Sequence, residues 1–207
     1  MRHSFTLFAA AALLAAPTIS QAHGFDSDLS KTISGPIKLE IIVSDDLAHR
    51  ANNLPKKLSD RGSSRLNSPF ANNGYYGDKA ITYLIDDMND ELMRDFAKRG
   101  ITLSDTASTV LLVTIENAKP NRPTFNQLSK DPSLSYKSFG VGGAEISAQV
   151  INANGDVIGE AEYDNFPSLN SGPFQYSATW MDAKRAFSRF SSKLSKKLAA
   201  AGAAGSS

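Results

Sequence analysis

The stretch that decides the fold is Asp78–Asn117, DKAITYLIDDMNDELMRDFAKRGITLSDTASTVLLVTIEN. Its first half carries Ile81, Leu84, Ile85, Met88, Leu92 and Phe96 at spacings of three and four, the period of a helix with one apolar face. Asp78 is placed to cap the start. Lys98 and Arg99 suit the negative end of the helix dipole, and Gly100 can take the left-handed conformation that closes a helix. The second half switches period. Val110, Leu111, Leu112, Val113 and Ile115 are β-branched or apolar on both faces, which predicts a strand near the centre of a sheet. A helix followed at once by a buried strand points to a layered α/β arrangement.

Working outward, Ile37–Ser44 reads as a strand before the helix, with Leu39, Ile41 and Val43 on one side and Ile42 on the other. Strand, helix and strand then predict a parallel crossover. Downstream, Gly143–Asn152 alternates Ala144, Ile146, Ala148 and Val150 with Glu145, Ser147 and Gln149. Asn154-Gly155 is the pair preferred by a two-residue type I′ turn. Asp156–Asn165 completes a hairpin, with Val157, Ala161 and Tyr163 opposite Glu160, Glu162 and Asp164. Trp180, Ala183, Phe187, Phe190, Leu194 and Leu198 form the stripe of a last helix, and Thr179 with Asp182 resembles a capping box. The expected fold is α+β, in the order β-α-β-β-β-α. Two helices should cover one face of a mixed four-stranded sheet.

The first 22 residues have a different character. A positive start at Met1-Arg2-His3, an apolar run from Phe5 to Ala16 and a small-x-small site at Ser20-Gln21-Ala22 read as a secretory signal peptide. A run of 12 residues falls short of the roughly 20 that span a bilayer. Cleavage between Ala22 and His23 would remove Arg2, leaving 21 Lys+Arg against 21 Asp+Glu. A neutral chain has no global pull toward nucleic acid or anionic lipid. No cysteine is present, so neither a disulfide nor a lipid anchor is expected, and no later apolar run predicts a transmembrane segment. The expected product is a soluble periplasmic or secreted domain over 36–200, with a flexible leader at 23–35 and a disordered tail at 201–207.

Chemistry is sparse. Asp45, Asp46, His49 and Arg50 leave the carboxyl end of the first strand, where open α/β sheets tend to bind ligands. They could hold a metal or polar ligand and support a hydrolase-like enzyme, but the Ser44-Asp45 pair serves equally as turn and helix cap. His23 at a processed terminus could offer amine and imidazole to copper, with His49 as the second imidazole of a brace. Asp86-Asp87 and Asp90-Glu91 lie off the apolar stripe of the first helix and read as a solvated face. Gly140-Val141-Gly142-Gly143 lacks the Lys-Ser/Thr of a phosphate loop and leads into a strand. Lys184, Arg185, Arg189, Lys193, Lys196 and Lys197 give the last helix a cationic face that could meet anionic lipid or an acidic partner.

The order of elements, the Arg99-Gly100-Ile101 helix exit, the Asn154-Gly155-Asp156 hairpin and the aromatic last helix resemble secreted α/β domains of the CsgG, TolB amino-terminal and LptE type. The resemblance covers roughly residues 36 to 200 and implies binding or assembly work in the cell envelope. Many such domains are lipid-anchored, and this chain lacks the cysteine that anchoring requires. The sequence therefore points to an envelope accessory without catalytic activity or cofactor. Its partner would be an envelope protein or cell-envelope ligand, met through the long loops 45–77 and 118–142 or an exposed sheet edge.

Overall fold

A computed structural model describes residues 24–29, 32–61, 69–167 and 178–204. Its strands are β1 (Gly24–Asp28), β2 (Ile37–Val43), β3 (Thr109–Lys119), β4 (Gly143–Ile151) and β5 (Val157–Asn165). The helices are α1 (Asp45–Arg50), α2 (Asp78–Lys98), α3 (Phe125–Lys130) and α4 (Met181–Leu198), the last running into a wider turn over Ala199–Ala203. The sheet order is β1-β5-β4-β3-β2, with β2 parallel to β3 and the other neighbours antiparallel. The α+β class and the parallel β2-α2-β3 unit match the sequence reading, and β3 is an interior strand between β2 and β4, one place from the centre, which β4 holds.

The sheet has five strands instead of four, because part of the expected loose leader, residues 24–28, pairs with β5. Gly-Phe-Asp-Ser-Asp has one apolar side chain and no periodicity. Its order comes from the edge of β5 and from Phe25, which lies 6.2 Å from Phe190 and 6.4 Å from Tyr163. The tail differs in the same way over its first four residues. Ile33 N–H donates to the Ala201 carbonyl at 2.8 Å, Ala203 is buried, and Ala204 bridges to Ile101. Leader and tail are thus packed against each other.

Alternation along β3, β4 and β5 places Leu111, Val113, Ile115, Ile146, Ala148, Val150, Ala161 and Tyr163 on one buried face. Against it pack the stripes of α2 (Leu84, Met88, Leu92, Phe96) and α4 (Ala183, Phe187, Phe190, Leu194, Leu198). Burial of this many apolar side chains, at about 25 cal/mol per Å², is the main force holding the layers together. Gly100 ends α2 with φ of 67°, and Ile101 N–H reaches the Phe96 carbonyl at 3.0 Å while Gly100 N–H reaches Ala97 at 3.3 Å. This is the Schellman closure that glycine permits.

Three local expectations are corrected. The β4–β5 turn is not type I′, since Asn154 keeps a negative φ and only Gly155 is left-handed, at 87°. Gly155 N–H donates to the Asn152 carbonyl, and Asn152 Oδ1 accepts from Asn154 and Asp156. Asn152 thereby stabilises a three-residue loop with a glycine bulge. At α4 the cap is Trp180 without a side-chain bond, so Thr179 and Asp182 form no capping box. Asn121 replaces it: its Oδ1 accepts from Asp182 N–H at 2.9 Å, and its Nδ2 donates to Asp182 Oδ2 at 2.5 Å. At α2 the cap is Gly77, and Asp78, its first residue, instead accepts a bond from Asn52.

Candidate functional site

The described parts of the two long connections, 45–61 with 69–77 and 118–142, meet at one end of the molecule, and Gln127 joins 69–77 to 118–142. Thr124 and Gln127 make a reciprocal capping box at the start of α3. Gln127 Nε2, fully enclosed, then donates to the carbonyls of Phe70 and Gly74 at 2.7 and 2.8 Å. Asn126 Nδ2 adds a bond to the Tyr75 carbonyl at 3.0 Å. Three backbone carbonyls of one connection are satisfied by two side chains of the other, so the loops are held in fixed relation.

Beside this clamp lies a cleft of about 700 Å³. Its floor is Tyr76 and Trp180, both buried, with rings edge to face at 5.6 Å. The Tyr76 hydroxyl donates to the Ala71 carbonyl at 2.8 Å. Burial pushes this phenol up to about 12, against the opposing pull of Arg50. Tyr83 on α2 and Phe125 on α3 stand at the rim, 43% and 79% exposed. Phe125 thus stands largely in solvent at the mouth of an aromatic-floored cleft.

Asn52, Asp78, Lys79, Asn126 and Lys184 are among the polar residues that line the cleft. Asn52 Nδ2 donates to Asp78 Oδ1 at 2.8 Å, tying the residues that follow α1 to the start of α2, and both residues line the cleft. Lys184 Nζ lies 2.7 Å from Asp87 Oδ1 and donates to the Tyr83 hydroxyl at 2.9 Å. Those two bonds, Asp87 first, hold the Lys184 ammonium above its ordinary range. Burial pushes the Asp87 carboxyl upward, and Lys184 only partly offsets it. The starts of α2 and α4 both border the cleft, so their positive dipole ends add to Lys79 and Lys184.

The residues singled out from sequence fall next to this cleft, not inside it. Asp45, Asp46, His49 and Arg50 all lie on α1. Ser44 Oγ caps that helix by accepting from Leu47 N–H at 3.2 Å, and donates to the Glu116 carbonyl at 2.7 Å. Arg50 is buried, with Nη2 2.5 Å from Asp46 and 3.7 Å from Asp60, and Nη1 3.4 Å from Asn117 Oδ1. Asp46 and Arg50 thus form a clasp between α1, the following loop and β3. Asp45 is exposed, and the His49 imidazole makes no hydrogen bond among the described residues. No group of three His, Cys, Asp or Glu converges as a metal site among those residues. Ala22 and His23 lie outside the described residues.

Sequence reasoning missed the clamp, although Thr124-Phe125-Asn126-Gln127 carries the capping-box pattern in plain view. It also explained the glycine run before β4 only as the entry to a strand and hairpin, without the close contact at Gly142. A Cβ on Gly142 would stand 2.5 Å from Asn121 Oδ1 and 2.8 Å from the Lys119 carbonyl. Glycine is required there by the Asn121–Asp182 lock, which positions Trp180.

No family model matches the chain, and no curated protein matches it. Among solved structures it is similar to two dodecamers of PelC from Paraburkholderia phytofirmans. A single-residue variant in one crystal form aligns with TM-score 0.41 and 11% identity, covering 83% of this chain and 95% of that one. The PelC dodecamer in a second form aligns with TM-score 0.40 and 11% identity, covering 81% and 94%. Likeness at this level carries no functional argument.

Proposed function

We propose that this chain is an exported binding or envelope-assembly module without catalytic activity, acting in the periplasm or outside the cell after removal of residues 1–22. The partner is an envelope protein or another cell-envelope ligand, held in the cleft between the two long loops. The observation that carries this reading is the cleft itself. It has an apolar aromatic floor, a nearly fully exposed Phe125 at the rim, and polar groups at fixed positions, the usual composition of a site that buries a ligand face and orients it. The resemblance to secreted envelope domains supports the same class of work. No helix among the described residues is long and apolar enough to cross a membrane.

The test is site-specific photocrosslinking in intact cells, with a photoreactive phenylalanine analogue replacing Phe125. A discrete adduct, lost when Tyr83→Ala is added, is the expected result. Absence of any adduct from Phe125, in protein shown to be exported and folded, would sink the proposal.

A further inference from the structure

The two edges of the sheet are treated differently by the fold. β1 is short and polar, with Gly24, Asp26, Ser27 and Asp28, the usual protection of an edge. β2, Ile-Lys-Leu-Glu-Ile-Ile-Val, has high strand propensity and contains neither proline nor glycine. In a parallel pair the backbone groups of alternate residues point to the same neighbour. Ser44 N–H bonds the Ile115 carbonyl on β3, while Ile37 N–H bonds Thr102 O and the Ile37 carbonyl accepts from Ser104 N–H on the outer side. Even-numbered residues of β2 therefore bond β3, and odd-numbered ones face outward. Residues 102–104 satisfy Ile37 alone. Leu39, Ile41 and Val43 present outward N–H and C=O groups that bond to nothing among the described residues, and their side chains are only half buried.

This leaves a slot with defined ends. Below it sits the 102–104 segment, and above it the chain turns into α1 at Asp45. We infer that the slot is occupied by β2 of a second copy, running antiparallel, with Ile41 on the two-fold axis. That register pairs Leu39 with Val43 and Ile41 with Ile41, making about six backbone hydrogen bonds and leaving none of the three outward residues unpaired. Each copy's 102–104 segment then lies where the other's strand has already ended. On the outer surface Glu40 meets Ile42, so no like charges are opposed. Of the two neighbouring registers, the one centred on Glu40 sets Glu40 against Glu40 and calls on Ile37 groups that are already bonded, and the one centred on Ile42 sets Leu39 against Asp45, where the other strand has already become helix, leaving Leu39 unpaired. Charge and bonding thus select one arrangement, a two-fold interface joining two sheets into one. It is independent of the cleft.

The chain has no cysteine, so a single introduced thiol reports the register directly. Under mild oxidation Ile41→Cys should form a disulfide-linked dimer, because directly opposed residues have Cα atoms about 5.5 Å apart. Lys38→Cys, about 20 Å from its own copy at roughly 3.3 Å per residue, should not. Sedimentation should show a concentration-dependent dimer for the unmodified chain. Ile41→Pro, which removes only an outward N–H, should weaken it by at least about tenfold with unchanged circular dichroism. A chain that stays monomeric into the high micromolar range, or equal crosslinking of the two cysteine variants, would overturn the inference.

Discussion

The two faces of the sheet are built on opposite principles although the same strands supply both. Toward α2 and α4, Leu111, Val113 and Ile115 of β3, Ala144, Ile146, Ala148 and Val150 of β4, and Ala161 and Tyr163 of β5 are aliphatic or aromatic side chains with almost no exposure. On the other face the register gathers Asp26 and Asp28 of β1, Glu160, Glu162 and Asp164 of β5, Glu145 of β4, and Glu40 of β2. Asp26 is directly opposite Glu162, Asp28 opposite Glu160, and Glu145 opposite Asp164. Cross-strand like charges of this kind destabilise a sheet by tenths of a kcal/mol each, whereas the covered face gains many times that from burial. A chain with a formal net charge of only +1 can therefore be strongly segregated, and the fold tolerates the acidic face because the apolar one supports it.

The largest effect expected from this comparison is in the core. Leu111→Ala or Ile146→Ala should cost about 2–5 kcal/mol, while Glu160→Ala or Glu162→Ala should stay within about 0.5 kcal/mol. Urea titration reads both. Equal losses on the two faces would mean that the acidic face is also packed against something.

A second break point is alkaline. Tyr76 belongs to the covered side and has a phenol pushed up to about 12. A raised acid favours folding while protonated in the fold, so its contribution is fully present below pH 10 and is lost as pH rises through about 12. Two units correspond to roughly 2–3 kcal/mol. The fluorescence of Trp180, the single tryptophan, should report this loss directly. Tyr76→Phe should flatten the alkaline limb, and an unchanged limb would remove Tyr76 as its cause.

Next comes the Asn121–Asp182 lock. Asn121→Ala leaves the Asp182 carboxylate and N–H without their buried partner, and should cost about 1–3 kcal/mol in chemical denaturation. The smallest effect lies on the acidic face and has the opposite sign. Burial first, then Asp164, Glu116 and Glu162, push the Glu145 carboxyl upward. Its ionised form is thus disfavoured in the fold, and its contribution falls as pH rises through that raised value. Glu145→Gln should stabilise by about 0.2–1 kcal/mol at pH 7 and by nothing near pH 4, read from paired denaturation curves.

What could be read in the chain before folding was whatever depends on local period and local capping. The α2 stripe and its Gly100 exit, the β3 run, the alternation of β4 and the α4 stripe all declare themselves within one element, because each must present an apolar face at its own repeat. Thr124 and Gln127 belong to this class too, a capping box legible from spacing alone.

The candidate site is of the other kind. Trp180 is an ordinary member of the α4 stripe by period, and Phe125 an isolated aromatic in a polar connection. Only the packing of α2 against α4, the Gln127 clamp and the Asn121 lock bring them to one cleft from positions more than 50 residues apart. β1 likewise carries no period of its own and becomes a strand because β5 offers unpaired backbone groups and Phe190 offers a ring. By itself the sequence determined the layers, since burying a periodic apolar face is a local demand on composition. Tertiary structure alone decided the fifth strand, the cleft and the edge of β2 that no described residue pairs beyond Ile37, because each depends on which backbone and side-chain groups remain unsatisfied once those layers have packed.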